Sequence, residues 1–254
     1  MPGAGVWSFS GSTSAEMCPL GPAVQGTGND PQSLVQRAWE AQEGSGGNPW
    51  VIRYWGRVPY EVALREMELL VAAKLEGDRL NYLLLLEHDP VYTLGRGGDP
   101  CDVQGADVRF GIPVYRVGRG GGVTYHGPGQ LVAYPVVTLA RRDVHWYVRT
   151  LEEVLVRVCH RFGVEARRGT EAVGVWVQGR KIASIGLGIR RWVAFHGIAL
   201  NIDVDLRYFE AIVPCRLPGL AVTSLARELG WCPSWESVAH AFGHELWQAL
   251  ESAP

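Results

Sequence analysis

From Trp50 onward the chain is a succession of short apolar runs cut by glycine- and proline-bearing turns, and that punctuation limits what it can fold into. The runs over 51–55, 82–86, 91–94, 114–117, 123–125 and 131–139 have the length and composition of strands. Three more follow at 173–177, 182–189 and 192–201. Helical spacing is confined to four stretches. Over 59–75 it puts Val62, Leu69 and Leu70 on one stripe with Met67 nearby, while Glu61, Arg65, Glu66 and Glu68 take wetter positions. Asp143 offers an N-cap to a second helix, whose apolar face is Val148, Leu151, Leu155, Val158 and Phe162. The chain ends in helical patterns over 222–229 and 235–250. Many strands with few helices predict an α+β fold, a mostly antiparallel mixed sheet packed with helices.

Composition narrows the class further. The chain has 254 residues, 47% of them hydrophobic and 20% charged, enough to bury a sizeable core. A net charge of −2 argues against a protein built for wholesale phosphate binding. No apolar run approaches the roughly 18–20 residues of a membrane span. Five cysteines, few and odd in number, fit a reducing compartment, so the cytoplasm is the expected location. Residues 1–48 are rich in Gly, Ser and Pro and carry neither a secretory nor a mitochondrial targeting pattern. They are expected to be a largely disordered extension with a short helix near 32–42, ahead of a single domain over 49–254.

Three segments concentrate unusual chemistry. The first is Arg119-Gly120-Gly121-Gly122-Val123-Thr124-Tyr125-His126-Gly127-Pro128-Gly129-Gln130, with five glycines and a proline in twelve positions. Glycines admit a ligand close to the backbone and expose N–H donors. Arg119 offers a forked cation, and His126 a group that can handle a proton. This is not a Walker loop, because no Gly-Lys-Ser/Thr follows. Nor is it a dinucleotide fingerprint, because a strand and not a helix comes next. A plain glycine-rich hairpin with a core histidine is the bland alternative.

The second segment is Gly179-Arg180-Lys181-Ile182-Ala183-Ser184-Ile185-Gly186. The chain holds only two lysines, Lys74 and Lys181, against 24 basic residues in all. A turn at Gln178-Gly179 delivers Lys181 to the start of an apolar strand, a setting in which a lysine, unlike an arginine, can act as an acid/base. An exposed hairpin lysine is the competing reading. The third segment is Val213-Pro214-Cys215-Arg216-Leu217-Pro218, where flanking prolines hold a thiol in a non-helical loop, as nucleophilic cysteines are presented. Cys159 reads instead as a packing residue on a helix. His240 and His244 form an i,i+4 pair without an evident third ligand, so no metal site is expected.

Taken together, Arg119–Gln130, Gly179–Gly186, Phe195-His196-Gly197-Ile198-Ala199-Leu200-Asn201 and Val213-Pro214-Cys215 closely resemble the lipoyl(octanoyl) transferase family. The likeness runs over about 51–229 and includes Leu86-Glu87-His88 and Val91-Tyr92-Thr93-Leu94-Gly95. It implies the fold of the biotin and lipoate protein ligases. It also implies transfer of an octanoyl group from acyl carrier protein to a lysine of lipoyl domains, those of 2-oxoacid dehydrogenases and the glycine cleavage H protein, with no cofactor. Cys215 would then be the nucleophile that carries the acyl thioester and Lys181 its acid/base partner. Substrate contacts would map onto Arg119, Gly120, Gly121, Gly122, Val123, Thr124, Tyr125, His126, Ser184, Ile185, Gly186, Gly197, Ile198 and Ala199. Val123, Ile185, Ile198 and Tyr92 are the expected lining of an acyl slot. Arg216 departs from the family pattern, which has Gly after the cysteine.

Two other readings compete. An ATP-dependent lipoate or biotin ligase would share the fold without requiring Cys215. A non-catalytic module would dock acyl carrier protein without transferring anything. Residues 141–191 hold eleven basic against five acidic side chains, a local excess that would attract an acidic partner.

Overall fold

The computed structural model describes residues 38–41 (backbone alone), 48–103, 110–170, 172–213 and 219–251. Four consecutive leucines, Leu83 to Leu86, are fully buried at the centre of strand β3 (Asn81–His88). A strand side chain alternates between faces, so an unbroken apolar run requires cover on both sides. Leu83 and Leu85 enter one core layer, with Leu131, Leu151, Leu155 and Phe242. Leu84 and Leu86 enter the other, with Met67, Leu70, Val132 and Tyr134.

The strands are β1 (Ala38–Ala41), β2 (Trp50–Val58), β3, β4 (Val91–Leu94), β5 (Val114–Arg116), β6 (Val123–His126), β7 (Gln130–Thr138), β8 (Arg167–Arg168), β9 (Val175–Val177), β10 (Arg180–Arg190) and β11 (Val193–Asn201). The α-helices are α1 (Tyr60–Leu75), α2 (Val144–Arg161), α3 (Leu225–Leu229) and α4 (Trp235–Glu251), with short 3-10 turns at Pro100–Val103 and Leu206–Ala211. The large sheet runs β1-β2-β3-β7-β11-β10-β9-β8, and a small sheet runs β5-β4-β6. Pairings in the large sheet are antiparallel except β2 with β3, which α1 connects. The expected α+β architecture is the observed one. Helices α2 and α4 cover one face and α1 the other.

Local rules account for the ends of the helices. The Asp143 side chain accepts from Trp146 N–H, capping α2 as expected. Lys74, one of the two lysines, closes α1: its buried ammonium donates to the Leu80 carbonyl at 2.5 Å.

Three expectations need correction. The buried stripe of α1 is Tyr60, Ala63, Met67, Leu70, Val71 and Lys74, and Leu69, rotated off it, is 61% exposed. The helix expected over 222–229 begins only at Leu225, after a Ser224 cap. Residues 221–223 instead run beside Lys181, whose N–H donates to Ala221 O at 2.8 Å and whose carbonyl accepts from Thr223 N–H at 2.9 Å. Finally, within the 32–42 stretch read as helix, Ala38–Ala41 is an edge strand on β2. The rest of that stretch, Asn48 and Pro49 being the first side chains in view, lies outside the described residues, and so does Cys215.

Two substitutions on leucines of opposite setting measure how far the buried layer carries stability. Leu85→Ala should cost about 2–5 kcal/mol, a cavity in a close-packed interior. Leu69→Ala should stay within about 0.5 kcal/mol. Urea denaturation of both variants checks the contrast.

Candidate active site

Where the small sheet meets β10 and β11, a cavity of about 300 Å³ opens. The glycine-rich run forms one wall. Gly120 N–H donates to Leu187 O of β10 at 2.7 Å, and Gly95, Arg96 and Gly97 N–H donate to the carbonyls of Gly122, Arg119 and Gly121. The run is thus held as a bent strip between the end of β4 and β10.

Arg119 folds this strip from within. Its guanidinium donates to the carbonyls of Gly120, Gly122 and Thr93 and to Thr93 Oγ1, at 2.7–3.0 Å, and the residue is only 8% exposed. The forked cation expected as a substrate contact is therefore engaged in holding the wall.

The opposite wall comes from β10 and β11: Ser184, Ile185 and Gly186 on one, Gly197, Ile198 and Ala199 on the other. Gly186 faces Gly197 in the register of the two strands. A Cβ at Gly197 would run into the Ala133 carbonyl oxygen and Pro135, so only glycine fits there. Pro135 sits inside the central strand β7 without an N–H to give to the ladder. At the facing position of β11, His196 adopts a φ of 57°, a left-handed conformation uncommon outside glycine. Its N–H donates to Met67 Sδ at 3.1 Å instead of to a strand partner.

Lys181, 5% exposed, closes one end. Its ammonium donates to Val173 O at 3.0 Å and lies 5.6 Å from the centre of the Trp176 ring.

The cavity is therefore lined by Lys181, Arg119, Gly121, Gly122, Val123, Thr124, His126, Ser184, Ile185, Gly186, Gly197, Ile198 and Ala199, all named from sequence. Two others from that set are elsewhere. Gly120 braces β10 and does not line the space. Tyr125 turns to the opposite side of β6 and stacks on Tyr208 at 4.6 Å. Tyr92, expected in the acyl slot, joins that same outer cluster, with its hydroxyl on Tyr208 O. Sequence reasoning missed Tyr60, Tyr134 and His196 in the lining. Proline in mid-strand at Pro135, beside Tyr134, was the available signal for two of them.

Three buried histidines set the electrostatics. His88 is fully buried, and burial pushes its pKa down to about 4. Its Nδ1 faces the Val58 carbonyl, which can only accept, so Nε2 accepts from the Tyr134 hydroxyl at 2.8 Å. His196 is pushed down to about 3, by burial first and then by the charges of Arg119 and Arg96. Burial, followed by His88 and Arg119, holds His126 well below the ordinary imidazole value.

The tautomer of His126 follows from its partner. The Gln130 amide nitrogen donates to Tyr125 O and Asn201 Oδ1, so Gln130 Oε1 accepts from His126 Nδ1 at 2.8 Å. His126 Nε2 then accepts from Thr93 Oγ1 at 3.2 Å, and Asn201 Nδ2 donates to Thr223 O. Hydrogen bonds run in one direction from the Arg119 cation to the residue paired with Lys181. Both ring nitrogens of His126 are occupied, so the expected proton handler is a structural link.

Fold and lining together define an α+β sheet that carries a glycine-walled slot with a buried lysine in its lining. Residues 59–247 match the lipoyl protein ligase A/B catalytic domain. A curated octanoyltransferase of Geobacter metallireducens is 50% identical over 182 residues, covering 71% of this chain and 84% of that one. One of Nostoc punctiforme is 43% identical over 213 residues, covering 78% and 90%. Among solved structures, a lipoate-protein ligase A bound with ATP aligns with a TM-score of 0.62 at 20% identity, over 76% of this chain and 83% of that one, a likeness of fold. The chain belongs to the lipoyl protein ligase A/B catalytic domain family, among its octanoyltransferases.

The neutral histidines make stability depend on pH. As pH falls from about 6.5 toward 4, the unfolded chain binds a proton at His88 that the folded chain refuses, so stability is lost across that window. The Tm should fall steadily between pH 6.5 and 4, and His88→Gln should flatten the slope while lowering the Tm at pH 7. Thermal melts across this range test both.

Proposed function

We propose that this chain transfers an octanoyl group from the thioester of acyl carrier protein to the ε-amine of a lysine on lipoyl domains, through an acyl thioester on Cys215. Residues 49–254 act as the single catalytic domain. The observation that carries this reading is the position of Lys181: buried, at the end of the glycine-walled cavity, on a strand to which the segment downstream of Cys215 is hydrogen bonded at Ala221 and Thr223.

In the first half-reaction the Lys181 side chain acts as the base that takes the Cys215 thiol proton. An ordinary thiol near pKa 8.5 is only a few per cent thiolate at neutral pH, so this step sets the supply of nucleophile. The thiolate attacks the donor carbonyl, the carrier's C–S bond breaks, and the leaving thiolate recovers the proton from Lys181. Thioester exchange is nearly isoenergetic, so it proceeds without ATP. In the second half the acceptor lysine amine attacks the Cys215 thioester, a C–N bond forms as the C–S bond breaks, and Lys181 takes the amine proton. Backbone N–H groups of the glycine-rich walls are the candidates to stabilise the oxyanion, a term worth about 3–4 kcal/mol per donor.

Val123 packs in the same outer cluster as Tyr125, and Ile185 and Ile198 in the α2/α4 core layer, so the acyl chain lies between the glycine wall and the backbones of Ser184–Gly186 and Gly197–Ala199. Burial at about 0.8 kcal/mol per methylene supplies the affinity. Both macromolecular partners bring acidic surfaces. Arg141, Arg142, Arg190 and Arg191, all exposed, give the chain a basic face to meet them. Free thiols at Cys101, Cys159 and Cys232 fit work in the cytoplasm. Among the described residues no helix is long and apolar enough to cross a membrane.

The ligase reading has support from fold likeness at 20% identity, whereas relatives near 50% identity are octanoyltransferases. Pyrophosphate exchange, expected to be absent here, separates the two.

Intact-mass spectrometry after incubation with octanoyl-acyl carrier protein should show one octanoyl added. The adduct should vanish in Cys215→Ala, form at least about 100-fold more slowly in Lys181→Ala, and discharge onto a lipoyl domain. Wild-type transfer by Cys215→Ala would sink the covalent mechanism. The double charge reversal Arg190→Glu/Arg191→Glu should raise KM for the donor at low salt and leave kcat near wild type, an effect that fades in high salt.

A further inference from the structure

Glu152 lies in the middle of α2 and is only 6% exposed. Its Oε1 accepts from Gly174 N–H at 3.0 Å. The carbonyl of that same peptide unit, Val173 C=O, accepts from Lys181 Nζ at 3.0 Å. A buried carboxylate and the buried amine are therefore joined through one planar amide, with the carboxylate at its N–H end and the amine at its oxygen.

We propose that Glu152 is a positioning residue for Lys181, acting through the Val173–Gly174 peptide unit. This rests on the role assigned to Lys181 above. A carboxylate on the N–H side pushes electron density through the amide onto the carbonyl oxygen, which becomes a stronger acceptor for the lysine, because hydrogen bonds in series polarise one another. Since the peptide is planar, fixing its N–H also fixes the direction of its C=O.

The surroundings are built for this contact. Gly174 has a φ of 135°, and a Cβ there would approach Ala183 O at 2.5 Å and Lys181 Cε at 2.6 Å, so the peptide sits against the lysine stem only because the residue is glycine. Gly169 N–H donates to Gly174 O at 2.9 Å and pins the other side of the residue. The charge on Glu152 is otherwise hard to account for. A glutamine would accept the same hydrogen bond at a smaller desolvation cost. Arg149, Arg167 and Arg168 line an outer hollow with Glu152, yet none forms an ion pair with it among the described residues. These three arginines and Lys181 are the cations around the carboxylate, while Arg180 on the adjacent position pairs with Glu228.

The test uses the full-length enzyme with Glu152→Ala, Glu152→Gln and the exposed neighbour Glu153→Gln as a control. Two quantities are read: steady-state kcat and KM for transfer, and the pH midpoint of Cys215 alkylation by iodoacetamide, located by intact mass. Glu152→Ala should lower kcat about 10- to 100-fold, the scale of a misplaced catalytic group, with KM changed less than about threefold. Its alkylation midpoint should move to higher pH, because a displaced Lys181 no longer receives the thiol proton. Glu152→Gln, which keeps the volume and the acceptor but loses the charge, should give a kcat and an alkylation midpoint between those of Glu152→Ala and wild type, and Glu153→Gln should match wild type. A wild-type alkylation midpoint in both Glu152 variants would overturn the proposal, whether or not their Tm falls, since a merely structural role changes the folded fraction and not the midpoint. Failure of the wild-type enzyme to form the Cys215 adduct would instead overturn the parent reading, a distinct outcome.

Discussion

The guanidinium of Arg119 is the constraint on which the site depends. Placed inside the protein, it draws the carbonyls of Gly120, Gly122 and Thr93 around itself, and a run of glycines with no side chains to pack becomes a fixed wall. Its charge then works outward. His126 and His196 face it and are kept neutral, a setting that burial alone begins and the cation reinforces. From the same cation a series of donors, Thr93, His126, Gln130 and Asn201, leads across the molecule to Thr223, which flanks the Lys181 backbone. Glycine wall and lysine are parts of one hydrogen-bonded frame, and a fully satisfied buried network of this kind favours a single arrangement.

Most of the fold was legible because its signals are local. Strand runs, the Asp143 cap and the face of α2 need only periodicity and capping chemistry, and they fall where expected within a few residues. The misses are tertiary. Leu69 has the right residue type on the wrong side of α1, since a short stripe leaves the phase of a helix open by about one residue. Residues 221–223 carry helix-compatible side chains, but the open edge at Lys181 takes them as a strand partner.

At the site, residue identity told more than residue direction. The glycines, Lys181 and the 184–186 and 197–199 stretches were legible as a set, and they converge on one cavity. Which neighbours face inward was not. Alternation on β6 sends Tyr125 away from the cavity that Thr124 and His126 line, a choice fixed only by which sheet covers which side. Arg119 and His126 were read as chemically active because free arginine and histidine are. The structure gives their polar atoms internal partners first. Fold alone would have left transferase and ligase equal, since architecture hosts several chemistries; identity near 50% to octanoyltransferases separates them.

The topology has one more consequence. Strands β3 and β7 are antiparallel neighbours, a pair that a two-residue hairpin can join. Here the connection instead carries the whole small sheet, β4, β5 and β6, together with the Arg119 wall. The roof of the cavity is thus an insertion into what is otherwise a hairpin. The eight-stranded ladder does not run through it, so the scaffold beneath can close on its own pairings while the insertion attaches to it through contacts such as Gly120 N–H to Leu187 O.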